Sequence, residues 1–511
     1  MVTTTEVKLP EYGMFIDGAY TFAESGAFFE VINPATGQPC ARVAKSDARD
    51  VDRAVKSARR AFESGEWSRA KPHERAEVLI RFADLIVQHA QEIAFLEILT
   101  SGATVRRVSN ADIMLIVDLL QQTAKFAQAY EYSRTLPVRP FPQPSHNQVW
   151  REPVGVCAGI TAWNYPLILA MWKLAPALAM GNSIVLKPAS NTPLSTLKLA
   201  ELAMQAGLPK GVFNVVTGPG GSVGEALVTH PEVDKVAFTG STEVGKRIMQ
   251  LAAEGIKRVT LELGGKSPAI VLPDADLDLA IPGILFGVFL HSGQVCECGT
   301  RVIVHQDIYD EVVERLAAEA SKIKLGNPLD DKVGMGPIIS ESQLKTILGY
   351  IESGKAEGAR LVCGGERATG PGLDGGYFVQ PTIFADVDNR MKIAQEEIFG
   401  PVLAVMKAQD VDEAIRLAND TVYGLAGGVW TRDLNQAYRV AREIRAGTIW
   451  INDWHMFRSD APFGGYKMSG FGREIGPYAL DEYTQLKHVH ASLVHEPENR
   501  HWFSIVLSHR G

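Results

Sequence analysis

Val154-Gly155-Val156-Cys157-Ala158-Gly159-Ile160 is an apolar run of strand length, and the units after it decide the fold. Trp172 to Met180 is apolar and helix-like, and Ser183-Ile184-Val185-Leu186-Lys187-Pro188 is a second strand ended by proline. Thr192 to Ala206 makes an amphipathic helix stopped by Gly207 and Pro209, and Phe213-Asn214-Val215-Val216 a third strand. Strands alternating with helices at this spacing predict parallel pairing and right-handed crossovers, an α/β fold. Lys235-Val236-Ala237-Phe238-Thr239 continues the pattern, and Gly240-Ser241-Thr242-Glu243-Val244-Gly245 opens a helix through Ala253. Ser241 or Thr242 can cap that helix, and its free amides would favour a phosphate. Taken alone, a capped helix after a strand is more often structural than functional, and this one lacks the Gly-x-Gly-x-x-Gly fingerprint.

Upstream, Ile32-Asn33-Pro34-Ala35-Thr36-Gly37 reads as a turn between extended segments. A helix is expected after Ser46, and a longer amphipathic one from His73 to Leu99. Between Tyr132 and Trp150 four prolines (Pro137, Pro140, Pro142, Pro144) suit an edge strand or an extended connection, and mark a boundary.

Downstream, Val259 to Val271 reads as strand, Gly264-Gly265, then strand, and Asp307 to Ile323 as helix. Gly364 to Gly376 reads as a surface loop. A second α/β region runs from Val379 to Trp450, with helices at Val411–Asn419 and Asp433–Ile444. Pro462 to Gly472 is too rich in glycine and serine for a regular element and is expected to be a shaped loop. The tail from Tyr483 to Val494 alternates like a strand without a local partner, so a neighbouring subunit is a candidate to supply one.

The 511 residues suffice for several domains, and 46% hydrophobic with 22% charged residues is ordinary for a globular protein. A net charge of −8 spread along the chain offers no basic face to nucleic acid or an anionic membrane. No apolar run reaches the roughly 18 residues of a membrane span. The start, Met1-Val2-Thr3-Thr4-Thr5-Glu6, lacks a leader-peptide pattern. Five scattered cysteines (Cys40, Cys157, Cys296, Cys298, Cys363) argue against a disulfide framework and for a reducing, cytoplasmic setting.

Two of those cysteines share one segment, Phe289-Leu290-His291-Ser292-Gly293-Gln294-Val295-Cys296-Glu297-Cys298-Gly299-Thr300-Arg301. Upstream of it stands Leu261-Glu262-Leu263-Gly264-Gly265-Lys266. A thiol for nucleophilic attack and a carboxylate to move protons would make a covalent-catalysis pair. The bland alternatives are a small buried hydrophobe and a solvated glutamate. No further pair with ligand spacing accompanies Cys296-x-Cys298, so no metal site is expected.

Seven motifs together are specific. Ala162-Trp163-Asn164-Tyr165-Pro166, Leu186-Lys187-Pro188-Ala189-Ser190, Phe238-Thr239-Gly240-Ser241, the Glu262 motif and Gly293-Gln294-Val295-Cys296 come in order. Glu396-Glu397-Ile398-Phe399-Gly400-Pro401 and Pro462-Phe463-Gly464-Gly465-Tyr466-Lys467 complete the set. Over nearly its whole length the chain resembles the aldehyde dehydrogenase superfamily, with some similarity to betaine, amino aldehyde and broad-specificity members. The resemblance implies a Rossmann-like nicotinamide-binding domain (1–127 and 151–262) and an α/β catalytic domain (263–480). It also implies a small β oligomerisation arm (128–150 and 481–497), followed by a tail (498–511). A homo-oligomer, dimer or tetramer, is implied with it.

By resemblance, Cys296 is the nucleophile, Glu262 the general base, and Asn164 with the Cys296 backbone N–H the oxyanion donors. Lys173 and Glu474 match positions of a proton relay. Thr161, Trp163, Lys187, Ser190, Gly240, Ser241, Glu397 and Phe399 match cofactor positions. Ser190 departs from the glutamate common in strict NAD users, so the resemblance leaves both NAD and NADP open as cofactor. Tyr165, Leu169, Trp172, Leu290, Val295, Glu297, Trp454, Phe457 and Phe463 match positions lining an aldehyde tunnel. The reaction implied is oxidation of a small-molecule aldehyde, apolar, aromatic or amino, to a carboxylic acid through a cysteine thioester. Semialdehyde oxidation through Arg458, acyl transfer to coenzyme A, and a non-catalytic member of the fold are the alternatives. Glu262 favours hydrolysis over acyl transfer.

Overall fold

The computed structural model describes residues 9–506, apart from the side chains of His501 and Ser504. The Met1–Glu6 stretch read for a leader pattern, and the end of the 498–511 tail, lie outside the described residues.

Three sheets and a hairpin sheet organise the chain. The first sheet has eight strands in the order Gly470–Phe471, Arg258–Glu262, Lys235–Thr239, Val156–Ile160, Ser183–Lys187, Phe213–Val215, Met14–Ile16 and Ala19–Thr21. The five central strands are parallel. The chain therefore winds one way from Val156–Ile160 and the other way after Phe213–Val215. This leaves a topological switch point between Val156–Ile160 and Lys235–Thr239, where open α/β sheets form their ligand crevice. All five residues of Val156–Ile160, Ser183–Lys187 and Lys235–Thr239 are buried, as strands covered by helices on both faces must be.

The second sheet has seven strands, ordered Arg360–Cys363, Thr382–Ala385, Val402–Ala408, Arg301–His305, Pro268–Val271, Ala426–Trp430 and Thr448–Ile451. Only its first strand runs antiparallel. The two strands flanking Gly264-Gly265 thus belong to different sheets, so the Glu262 motif is the hinge between the two α/β layers.

The third sheet pairs Thr484–Ser492 with Ser145–Pro153 over nine residues, and Ser133–Thr135 with the latter. The C-terminal strand finds its partner within its own chain, so no neighbouring subunit is needed to supply one. Ser145–Pro153 also runs across the 150/151 boundary expected from sequence. Near the N-terminus, Phe28–Asn33 and Gln38–Ala44 pair antiparallel around the expected turn.

Local chemistry accounts for several element ends. Asp47 caps Ala48–Ser64 with a capping box, and Ser241 Oγ accepts from Val244 N at 3.4 Å to start Thr242–Ala253. The single helix expected over His73–Leu99 is two, Pro72–Gln88 and Ala90–Ser101, broken at His89. The Pro462–Gly472 segment is not wholly irregular. Its Gly470–Phe471 pairs with Leu261 and Glu262 and closes the edge of the first sheet. No helix among the described residues is long and apolar enough to cross a membrane.

Candidate active site

A cavity of about 260 Å³ opens at the switch point. Trp163, Asn164, Gly240, Ser241, Glu262, Cys296, Glu397 and Phe399 all stand on its wall. These residues come from five separate stretches of chain. Close backbone approach brings them together: a Cβ at Gly264 would overlap the Glu397 carboxylate, and one at Gly265 the Cys296 carbonyl oxygen. In their place, Gly265 N–H donates to Glu397 Oε1 at 3.0 Å. Burial raises the Glu397 carboxyl to about 7, against the pull of the Gly265 N–H and Lys266.

The Cys296 loop is wound tightly. His291 and Ser292 both adopt left-handed backbone angles (φ 50° and 58°). Gln294 holds the loop, donating from Nε2 to the His291 and Pro337 carbonyls and accepting from Ile339 N at 2.9 Å. Asn164 Nδ2 donates to the Gln294 carbonyl at 3.0 Å, which leaves its second amide hydrogen for a ligand. Arg107 steadies Asn164 from behind, donating to its carbonyl at 3.3 Å and pairing with Asp112 at 2.8 Å.

The surroundings of the nucleophile candidate favour its neutral form. Burial first, then the Glu297 carboxylate, pushes Cys296 well above the usual thiol range. Cys296 Sγ donates to Glu297 Oε2 at 3.1 Å. Cys298, unlike the half-buried Cys296, is buried, its thiol turned to the Val288 carbonyl at 3.6 Å.

Glu262 is buried with neither carboxylate oxygen partnered. Burial, then the Glu474 charge, raises its carboxyl well above the usual range, while Lys173 pulls it back. Lys173 Nζ donates to Glu474 Oε1 at 2.8 Å and to Thr239 Oγ1 at 2.6 Å. A cation and two carboxylates are therefore gathered behind the cavity.

The remaining cofactor candidates line the carboxyl ends of the same sheet. Thr161 N–H donates to the Lys187 carbonyl, and its hydroxyl is buried without a partner. Lys187 Nζ donates to the Pro188 carbonyl, and burial lowers its ammonium to about 8. Ser190 Oγ donates to the Gly218 carbonyl at 2.8 Å.

The aromatic candidates form one cluster. Trp172 packs on Phe457 at 5.8 Å and on Phe463 at 5.1 Å, and Phe457 on Phe463 at 5.2 Å. Leu169, Tyr165, Phe457 and Cys296 belong to the same apolar body. Val295 is buried and Leu290 half-buried at the loop's entry. Tyr165 has Arg107 over its ring at 4.0 Å and the edge of His291 at 5.6 Å.

Trp454 departs from expectation. It is 1% exposed, and glycines at 287, 299 and 428 make room for its indole inside the second layer. It is a core residue rather than a tunnel wall. Arg458 is also misplaced for a substrate carboxylate: it is 75% exposed and forks onto Asp460.

The sheet order, the switch-point cavity and the seven motifs converge on one family, and the profile of the Aldehyde dehydrogenase family matches residues 20–489. The chain belongs to the aldehyde dehydrogenase family. It is 45% identical to betaine aldehyde dehydrogenase of Bacillus subtilis, over 96% of this chain and 99% of that one. Human mitochondrial aldehyde dehydrogenase is 46% identical, over 93% and 91% respectively. The crystal structure of Staphylococcus aureus betaine aldehyde dehydrogenase in complex with NAD+ superposes with a TM-score of 0.93. It is 41% identical and matches 96% of each chain.

Sequence reasoning missed three parts of this dehydrogenase's site. Gln343 donates to the Ile398 and Phe399 carbonyls and so holds the Glu397 segment. Tyr350, with Thr346, completes the outer wall of the cavity. His455 contacts Glu297 beside the nucleophile. The first two lie on Glu341–Ala356, a helix whose apolar spacing was there to be read. His455 gave no local signal.

Proposed function

We propose that this enzyme oxidises an apolar aliphatic or aromatic aldehyde to its carboxylic acid, using NAD or NADP. The observation that carries the reading is the shared wall: Cys296, Glu262 and Asn164 face one cavity at the nucleotide crevice of a doubly wound sheet. The crevice suits a dinucleotide. Ser241 caps a helix of twelve residues that opens onto it, and in this reading Trp163, Glu397 and Phe399, on the same cavity wall, would meet the nicotinamide ribose.

In this reading the Cys296 thiolate attacks the carbonyl carbon. Asn164 Nδ2 and the Cys296 backbone N–H hold the oxyanion. A nicotinamide bound in the crevice would supply the acceptor for the hydride that leaves the hemithioacetal carbon. Glu262 then takes a proton from the water that hydrolyses the thioester, and Glu474 with Lys173 carries the proton onward.

The substrate class rests on the cluster of Trp172, Phe457 and Phe463, which packs in the same apolar body as Cys296. A cationic tail is the second reading, because such rings can also cage ammonium groups. It is the weaker one here: both Glu297 oxygens are occupied, and Arg107 already covers a face of Tyr165. The position of Arg458 leaves semialdehydes without a carboxylate anchor.

Ser190 itself brings no charge to repel a 2′-phosphate, which leaves both nucleotides open. We place the enzyme in the cytoplasm as a homo-oligomer, dimer or tetramer. Thr484–Ser492 supports the assembly, since its outer edge is unpaired among the described residues.

An aldehyde panel with NAD and NADP side by side tests the function. Apolar aldehydes are expected to reduce nucleotide and yield free acid, with or without coenzyme A. A strict requirement for coenzyme A would establish acyl transfer instead, and no reduction with any aldehyde would leave a non-catalytic protein. Light scattering during gel filtration tests the assembly; a monomer would refute it.

A further inference from the structure

The residue after the nucleophile makes contacts that the reaction as described leaves unused. Glu297 is bonded on both sides: Oε2 accepts from Cys296 Sγ at 3.1 Å, and Oε1 lies 2.9 Å from His455 Nδ1. Its backbone carbonyl is fixed as well, accepting from Trp454 Nε1 at 3.2 Å. The side chains of Glu297 and His455 are each only 3% exposed. His455 holds a left-handed backbone angle (φ 59°), a strained conformation that aims its ring at Glu297. Its far nitrogen, Nε2, is buried with no partner, and the edge of Phe286 packs on the ring at 5.3 Å.

We propose that Glu297, oriented by His455, is the proton acceptor for the Cys296 thiol, so that thiol activation and water activation fall to two different carboxylates. The proposal rests on Cys296 being the nucleophile.

The step balances within the pair. The Sγ–H bond breaks and an Oε2–H bond forms, so the negative charge moves from oxygen to sulfur without changing the net charge of the pocket. A thiolate beside an ionised Glu297 would meet like-charge repulsion; beside the protonated acid it accepts a hydrogen bond instead. Sγ then bonds to the carbonyl carbon, and the carbonyl π pair moves to its oxygen. When hydrolysis later expels the thiolate from the acyl carbon, the proton returns from Oε2 to Sγ and the pair is reset.

Glu262 suits the other task. Both its oxygens are free to meet a water, and the Glu474–Lys173 pair is close enough to act on its charge. Its charge also weighs less on Cys296 than that of Glu297. Glu297 is thus a catalytic residue in this scheme, and His455 a positioning residue.

Thiol reactivity can be read without any aldehyde, by iodoacetamide labelling of the full-length enzyme at neutral pH with peptide mapping of Cys296. Glu297→Gln keeps the size of the side chain and is expected to slow Cys296 labelling by roughly a hundredfold. Glu262→Gln is expected to lose turnover yet label at close to the wild-type rate. His455→Leu should slow labelling, and His455→Gln, which keeps a donor toward Oε1, should restore most of it even if Glu297→Gln folds poorly. Unchanged labelling in folded Glu297→Gln, or slow labelling in Glu262→Gln in its place, would overturn the assignment. If Cys296 is not the preferred cysteine in the wild-type enzyme, the nucleophile itself has been misassigned, and the role of Glu297 falls with it.

Discussion

Lys173 Nζ lies 2.8 Å from Glu474 Oε1, and both side chains are buried behind the carboxyl of Glu262. Lys173 is the cation that holds the Glu262 carboxyl down against burial and the Glu474 charge. Glu262 works as a base only when ionised, so thioester hydrolysis should rise with pH through its elevated pKa and fall away below it. Removing the cation moves the pKa higher still. In Lys173→Met the rising limb of single-turnover deacylation should therefore shift to higher pH. The variant also leaves Glu474 buried without its partner, and is expected to lose about 3–5 kcal/mol of stability in denaturant titration.

In the proposed reading cofactor choice turns on Ser190, whose hydroxyl donates to the Gly218 carbonyl. Ser190→Glu places a carboxylate where a 2′-phosphate would sit. The KM for NADP should rise by at least about tenfold, ~1.4 kcal/mol, with a smaller change for NAD. Steady-state kinetics with both nucleotides reads this directly.

The two cysteines of the loop should separate cleanly. Cys296→Ala is expected to abolish aldehyde oxidation. Cys298→Ala should keep most of it, because that thiol points to the Val288 carbonyl within the core. Its cost is the loss of a small buried group, and a thermal melt alongside the rate assay distinguishes the two effects.

Much of this arrangement was legible in the sequence. Short apolar runs and glycine or proline stops define the strands of the first sheet, and the Val411–Asn419 helix agrees with its reading residue for residue. The seven motifs marked the residues of the cavity because each is short and contiguous. What escaped depended on distant partners. His455 and Glu297 lie 158 residues apart, and no periodicity links them. Gly470–Phe471 becomes a strand only because Leu261 and Glu262 offer it an edge. Trp454 looked like a tunnel residue until three glycines from other elements proved to make room for it. The C-terminal strand lacked a visible partner because Ser145–Pro153 lies more than 300 positions earlier.

The burial of Trp454 gives a stability prediction. Trp454→Ala should destabilise the protein by about 3–5 kcal/mol, as for other large buried aromatics. Trp454→Phe keeps most of the volume but removes the donor to the Glu297 carbonyl, and should cost about 1–3 kcal/mol. Equal losses in the two variants would show that the hydrogen bond outweighs the packing.

The central claim is a covalent one: the aldehyde carbon becomes a thioester on Cys296 that Glu262 then helps to hydrolyse. Peptide-mapped mass spectrometry of Glu262→Gln, mixed with nucleotide and an apolar aldehyde, tests it most directly. The account requires one equivalent of reduced nucleotide and an acyl adduct on Cys296 that persists. Reduced nucleotide with no adduct, or an adduct on Cys298 in its place, would contradict it.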